Sequence, residues 1–482
     1  MRKKGQKLTA IMLGLAMTAG VTACGDKNTG TDPTPQPTKP ADTQPTTAAG
    51  GEDTPQPTEP AVTEVPEKYR DLGGIDILIA DWWTGEEGEP QTAQEEATRE
   101  YRREIQEKYH FTIKQARIGE WGEHQETFTL GTMANDPAGQ IFCMDQGFVA
   151  KPFANNLFYN LSSLETLDFT EEKWNQTVLD LMTAPDGNIY GMATGKPEPR
   201  CGVFWNKRLF EEAGLERDLL YDLQAKGEWT WDKLEELCGK LTRDIDGDGT
   251  IDTYAMMSFS PDFFNALIVC NNAKYIGVDS NGNYYNDINT PQFLEALQFG
   301  VKLLEKGYEM RAPEGAQWDY FLPAFHDAKV AMTFGEEFRV GTWADMDDDF
   351  GFVMAPAGPQ GISKAVYKDN IFVIPSCYTD TDYVNKIAFA YNLYTNPTPG
   401  YEDDDDWMNG YYPRFRDARA VDETLTMMYE EGRGETWYLP AVYGISYGDI
   451  VFNIYGLWQT PAEKIEEVNA KWQSLIDDAN MR

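Results

Sequence analysis

Two short runs, Ile75-Asp-Ile-Leu-Ile-Ala80 and Phe111-Thr-Ile-Lys114, decide the fold class. Both are apolar and rich in β-branched residues, which favours strands. Between them, 92–109 is charged and helical in character. A strand, a helix and a second strand in so short a span form a βαβ unit, and that unit requires a parallel sheet. The chain therefore reads as α/β. A helix over 125–133 leads to the apolar strand Gln140-Ile-Phe-Cys-Met144, which ends at Asp145. In open α/β sheets, ligands sit beyond the carboxyl ends of the strands. That rule places Trp82, Trp83 and Asp145 where a ligand would lie.

The middle of the chain repeats the same grammar. Gly202-Val-Phe-Trp-Asn-Lys-Arg-Leu-Phe-Glu-Glu-Ala-Gly-Leu215 reads as a strand end running into a helix, with Gly214 as the stop. In Trp229-Thr-Trp-Asp-Lys-Leu-Glu-Glu-Leu237, Thr230 is placed to cap a helix, although Lys233 stands where a capping box has Glu or Gln. Asn206 and Asp232 read as caps and turns rather than ligand contacts. Next come Leu241-Thr-Arg-Asp-Ile-Asp-Gly-Asp-Gly-Thr-Ile-Asp-Thr-Tyr254 and Phe325-His-Asp-Ala-Lys-Val-Ala-Met-Thr-Phe334. Asn370-Ile-Phe-Val-Ile-Pro375 follows, then a helix to Tyr394.

In this order the segments resemble the maltose-binding-like family of bacterial extracellular solute-binding proteins, with Ala328 where that family usually has Gly. The resemblance runs from about residue 70 to 480. It implies a two-lobed, periplasmic-binding-protein-like (type II) fold with hinge crossovers and a ligand cleft. One lobe would hold 67–197 plus 365–396, the other 198–364 plus 397–482, including an amphipathic stretch over 465–476. It also implies delivery of a carbohydrate to the membrane subunits of an ABC importer, by a monomer with no catalytic residues and no required cofactor.

The ends carry an address. Arg2, Lys3, Lys4 and Lys7 precede an apolar stretch over 8–21, too short for a membrane span but suited to a secretory leader. The leader, 1–23, ends in Val21-Thr-Ala-Cys-Gly25, which resembles the lipobox of bacterial lipoproteins and marks Cys24 for lipidation. From there to residue 66 the chain is rich in Thr and Pro and cannot bury enough surface to offset its ordering entropy. It reads as a disordered tether, placing the folded part on the outer face of the membrane.

Charge and reactive side chains exclude several classes. The formal charge is −38, which argues against nucleic acid and against direct contact with anionic lipid. Five cysteines remain after Cys24, with no C-x-x-C pair, and Cys143 and Cys270 sit in apolar runs. Three histidines without metal spacing make zinc improbable.

Two kinds of site remain. Asp244, Asp246, Asp248 and Asp252 stand at positions 1, 3, 5 and 9 of a calcium loop, with Gly249 at the turn, but Ala255 occupies the twelfth position. The alternatives are a structural Ca²⁺ and a solvated acidic turn. Sugars stack their C–H faces on aromatic rings and bond their hydroxyls to acids and Arg. Candidates after strands are Trp82, Trp83, Trp121, Asp145, Trp318, Glu336, Glu337, Arg339, Trp343 and Trp407; core packing is the alternative for each Trp. The paired Trp82 and Trp83 are the exception, because neighbours on a strand end cannot both point inward. The acidic run 403–406 beside Trp407 reads as a solvated loop, or as a lid or site for a cationic ligand. These residues point to an oligosaccharide, with a cationic solute such as a polyamine, or a surface glycan-acting enzyme, as alternatives.

Overall fold

The computed structural model describes residues 65–184, 186–403 and 406–481; Cys24, the leader, all but the end of the tether, and Asp404 and Asp405 lie outside them. The βαβ unit forms as read. Strand Ile75–Asp81 pairs in parallel with Phe111–Arg117, from Ile75 opposite Phe111 to Asp81 opposite Arg117. Helix Ala93–Tyr109 connects them. Thr92 caps its start by accepting from the Glu95 N–H, and His110, left-handed at φ 56°, ends it. Ile141–Met144, buried at every position, pairs in parallel on the other side. Ile371–Val373 returns from late in the chain and closes that edge antiparallel.

A second four-stranded sheet has the order Phe350–Met354, Gly202–Asn206, Val330–Gly335, Tyr254–Met256. Its centre is tight. A Cβ on Gly202 would lie 2.3 Å from the Val353 carbonyl oxygen, so only glycine fits there. Asn206 caps the following helix Lys207–Glu212 by accepting from the Leu209 N–H, and also bonds Asp348. Helix Ser260–Cys270 is buried along its whole length. At the C-terminus, Thr460 and Glu463 complete a capping box before helix Pro461–Asn480, which buries Ile465, Val468, Trp472 and Ile476 along one face.

The hydrophobic cores follow the sheets. The largest draws on side chains from Cys201 to Ile476, and two smaller ones on Tyr69 to Ala193 together with Ile371 to Tyr391. Between them lies a three-stranded sheet in which Ala365–Tyr367 pairs antiparallel with Pro199–Arg200 and parallel with Gly434–Thr436. Tyr438 then packs against both the large core and one of the smaller ones. Cys143, Cys201, Cys238, Cys270 and Cys377 are free thiols, all buried except the half-exposed Cys377. No helix among the described residues is long and apolar enough to cross a membrane.

Because the neighbour at Gly202 is backbone, the site cannot yield by turning a side chain. Gly202→Ala is expected to destabilise the protein by about 1–3 kcal/mol, the usual range for overpacking, measured by urea denaturation at constant m-value.

Candidate ligand-binding site

The turn after the first strand is shaped by a residue the sequence reading passed over. Asp81 is fully buried and accepts from the Trp83 N–H at 3.1 Å, the Thr84 N–H at 3.0 Å and the Gln115 amide at 2.7 Å. This holds Trp82 half-buried and leaves Trp83 45% exposed. The Trp82 ring meets Trp83 at 4.7 Å, His124 at 5.1 Å and Phe148 at 6.1 Å, and Phe148 in turn meets Trp121 at 4.9 Å. His124 is buried and bonds the Cys143 carbonyl through Nε2, and burial lowers its pKa. An aromatic wall results, with Trp121 at its outer end 50% exposed and its indole N–H directed at Asp145.

Glu336 and Glu337 follow strand Val330–Gly335 of the second sheet and divide by environment. Glu336 pairs with Lys368 at 2.8 Å; burial would raise its pKa, but Lys368, Arg339 and Arg200 outweigh that and hold it at about 2. Glu337 is buried and paired with Arg200, which also holds Glu198. Burial lifts Glu337 to about 7 against the pull of Arg200, and Glu198 and Glu336 add to the lift. Arg339 reaches Asp262 at 3.3 Å and lies over the Phe321 and Phe338 rings. Burial pushes the Asp145 carboxyl up; the Gly147 N–H opposes this, and the Glu336 charge adds to it. Asp145 and Glu336, ends of strands in different sheets, are therefore within electrostatic reach of each other.

The remaining predicted residues separate. Trp318 is 72% exposed and packs on Phe259 at 5.6 Å, beside the Arg339 cluster. Trp407 is half-buried against Tyr429 at 4.5 Å and Tyr411 at 5.7 Å. Trp343 leaves the candidate set: its ring is fully buried among Phe204, Phe325 and Phe350, and its N–H bonds the Leu322 carbonyl. Asp244, Asp246 and Asp252 bring carboxylate oxygens within 4.8 Å of one another on the surface. Asp248 stands outside that group and instead accepts from the Thr250 N–H. The reading also missed Arg200, Lys368 and Asp369. Asp369 accepts from the Asn175 amide and from the Glu198 N–H, each at 2.8 Å, and so ties the crossing strands to the start of helix Gln176–Met182.

A family model described as bacterial extracellular solute-binding protein matches residues 100–425. The chain belongs to that family. Solved structures share the fold of this solute-binding protein at low identity. The cyclic α-maltosyl-1,6-maltose binding protein from Arthrobacter globiformis is 15% identical, covers 84% of this chain and 100% of its own, and has a TM-score of 0.59. The GacH receptor of Streptomyces glaucescens, solved unliganded and with acarbose, is 16% identical over 84% of this chain and 99% of its own, with a TM-score of 0.57. An ABC substrate-binding protein from Listeria monocytogenes, solved with cycloalternan, is 15% identical over 85% and 98%, with a TM-score of 0.56. These are two-lobed proteins, and the solute-binding fold expected from the sequence is the one observed. No curated protein matches the chain.

The buried acids of this solute-binding protein give it a pH signature. Glu337 and Asp369 are each raised to about 7, chiefly by burial, as is Glu309, which accepts from Tyr455 and the Ser258 N–H. Unfolded carboxylates titrate near ~4, so the folded state binds more protons between about pH 4 and 7. Stability is expected to fall as pH rises through that window, by several kcal/mol over the three groups, and to level off above it. Glu336, held low, acts only below the window. Urea denaturation at pH 5 and pH 8 measures the difference, and Glu309→Gln should reduce it.

Proposed function

We propose that this protein is the lipid-anchored, solute-binding subunit of an ABC importer, and that its solute is an oligosaccharide. The observation that carries the reading is the aromatic wall of Trp82, Trp83 and Trp121, with Asp145 at its edge and Glu336 of the other sheet within electrostatic reach of Asp145. Rings take the apolar faces of a sugar, and the carboxylates accept its hydroxyl protons. The GacH receptor, with acarbose, and the Listeria monocytogenes protein, with cycloalternan, lend support. Contact with both lobes favours the closed form, because a ligand shifts an equilibrium by its differential affinity for the two states. The membrane permease would receive that closed form. Lipidation at Cys24, a monomeric state, and release of the sugar without cleavage complete the proposal.

The test is thermal unfolding of the mature chain carrying Cys24→Ser against a panel of oligosaccharides. A bound sugar at 100 times its Kd is expected to stabilise by about 2.7 kcal/mol, and chromatography should recover it intact; cleavage would favour a glycan-acting enzyme instead. Trp83→Ala and Trp121→Ala should each weaken binding by about tenfold, the loss of one stacking contact of ~1–1.5 kcal/mol.

We also propose that Asp244, Asp246 and Asp252 hold a structural calcium ion. Added Ca²⁺ should then raise the melting temperature of the wild-type protein and leave that of Asp244→Asn unchanged.

A further inference from the structure

Beside the crossing strands, three aromatic rings and three carboxylates other than those of the sugar wall lie near one another. Trp407 packs on Tyr429 at 4.5 Å and on Tyr411 at 5.7 Å, with all three rings half-buried. Both tyrosine hydroxyls lie within electrostatic reach of Glu198 and Glu337, and of each other. Asp369 adjoins the same group by accepting from the Glu198 N–H.

Arg200 is the cation paired with these acids, joined to Glu198 and Glu337. Three carboxylates face it, and two of their oxygens are buried without a hydrogen-bond partner among the described residues: Glu337 Oε2 and Asp369 Oδ2. Glu337 is 2% and Asp369 3% exposed. An unpaired buried acceptor costs its full desolvation penalty, so both oxygens call for a donor. Glu198, with 43% of its side chain exposed, opens the group to solvent. Surplus acceptors next to the faces of Trp and Tyr favour one ligand chemistry above others, because an ammonium is attracted by ring quadrupoles as well as by carboxylates.

We propose that Glu198, Glu337 and Asp369, with Trp407, Tyr411 and Tyr429, form a subsite for a protonated amine on the solute. The inference rests on the solute-binding reading and deepens it. The amine can belong to an amino sugar within an oligosaccharide or to a free polyamine, and the two sources differ in what else binds.

Calorimetry on the mature chain at low salt separates them, using glucosamine oligomers, N-acetylglucosamine oligomers of the same length and linkage, and spermidine, beside the neutral oligosaccharide panel. The free-amine oligomer is expected to bind about tenfold or more tightly than its acetylated counterpart. That ratio should shrink with added salt and collapse toward unity in Glu198→Gln and in Trp407→Ala. Both positions are partly exposed, and unchanged circular dichroism would show that the variants fold. Spermidine binding lost in the same variants, with no sugar bound, would keep the amine subsite and sink the carbohydrate reading. Neutral sugars binding as tightly as amines, or an amine preference that survives both variants, would overturn the subsite and leave the solute-binding reading intact. If no probe binds, both fall.

Discussion

Arg200 and Lys368 stand on or beside neighbouring crossing strands, and each finds its carboxylate just past the end of the same strand of the second sheet, at Glu337 and Glu336. Most of what distinguishes the cleft depends on this double pairing. Taking a carboxylate out of water costs several kcal/mol unless a partner compensates. Arg200 and Lys368 offset part of that cost for Glu337 and Glu336, enough to hold Glu336 ionised, while Glu337 is still lifted by its burial. Asp369 anchors the same strands to the start of helix Gln176–Met182 through Asn175. A ligand that touches Glu336 consequently acts on a group already bonded to the connection between the lobes.

Much of the architecture was legible in the chain because its signals are local. The strand from Ile75, the charged helix ending at Tyr109, Asn206 and Gly214 at the two ends of one helix, and the apolar stripe over 465–476 are short-range patterns, and the structure has them all. The strand ends picked out from the sequence bring Trp82, Trp83 and Trp121 into one aromatic group with Asp145 beside it, and Glu336 and Glu337 follow the strand Val330–Gly335. Trp343 shows the limit of the rule. It too follows a strand, but its short 3-10 turn folds back under the sheet, and the packing of Phe204 and Phe350 around the ring has no local signature.

The cations were hidden for a related reason. Arg200 meets Glu337 across 137 positions of sequence, and Asn175 meets Asp369 across 194. No spacing rule spans such distances. Asp81 was overlooked because a carboxylate at a strand end suggests a ligand contact or a solvated turn, whereas here it is spent on backbone N–H groups. The calcium-loop spacing was conspicuous, and only part of it converges in space: Asp248 turns to its own backbone neighbourhood while three other aspartates gather.

The strand Gly434–Thr436 and the residue Tyr438 lie a few positions apart, the first joined edge-on to Ala365–Tyr367 and the second wedged between two cores. A door hung on one pin can swing, twist and sag. Two crossing strands make two pins, and the edge pairing of Gly434–Thr436 with the packing of Tyr438 adds a third. The crossing is therefore three strands wide, and any relative motion of the parts it joins would have to bend all three together. A joint bonded across its full width is a stiff one, and its resistance to bending enters the free energy of any closure that a ligand drives.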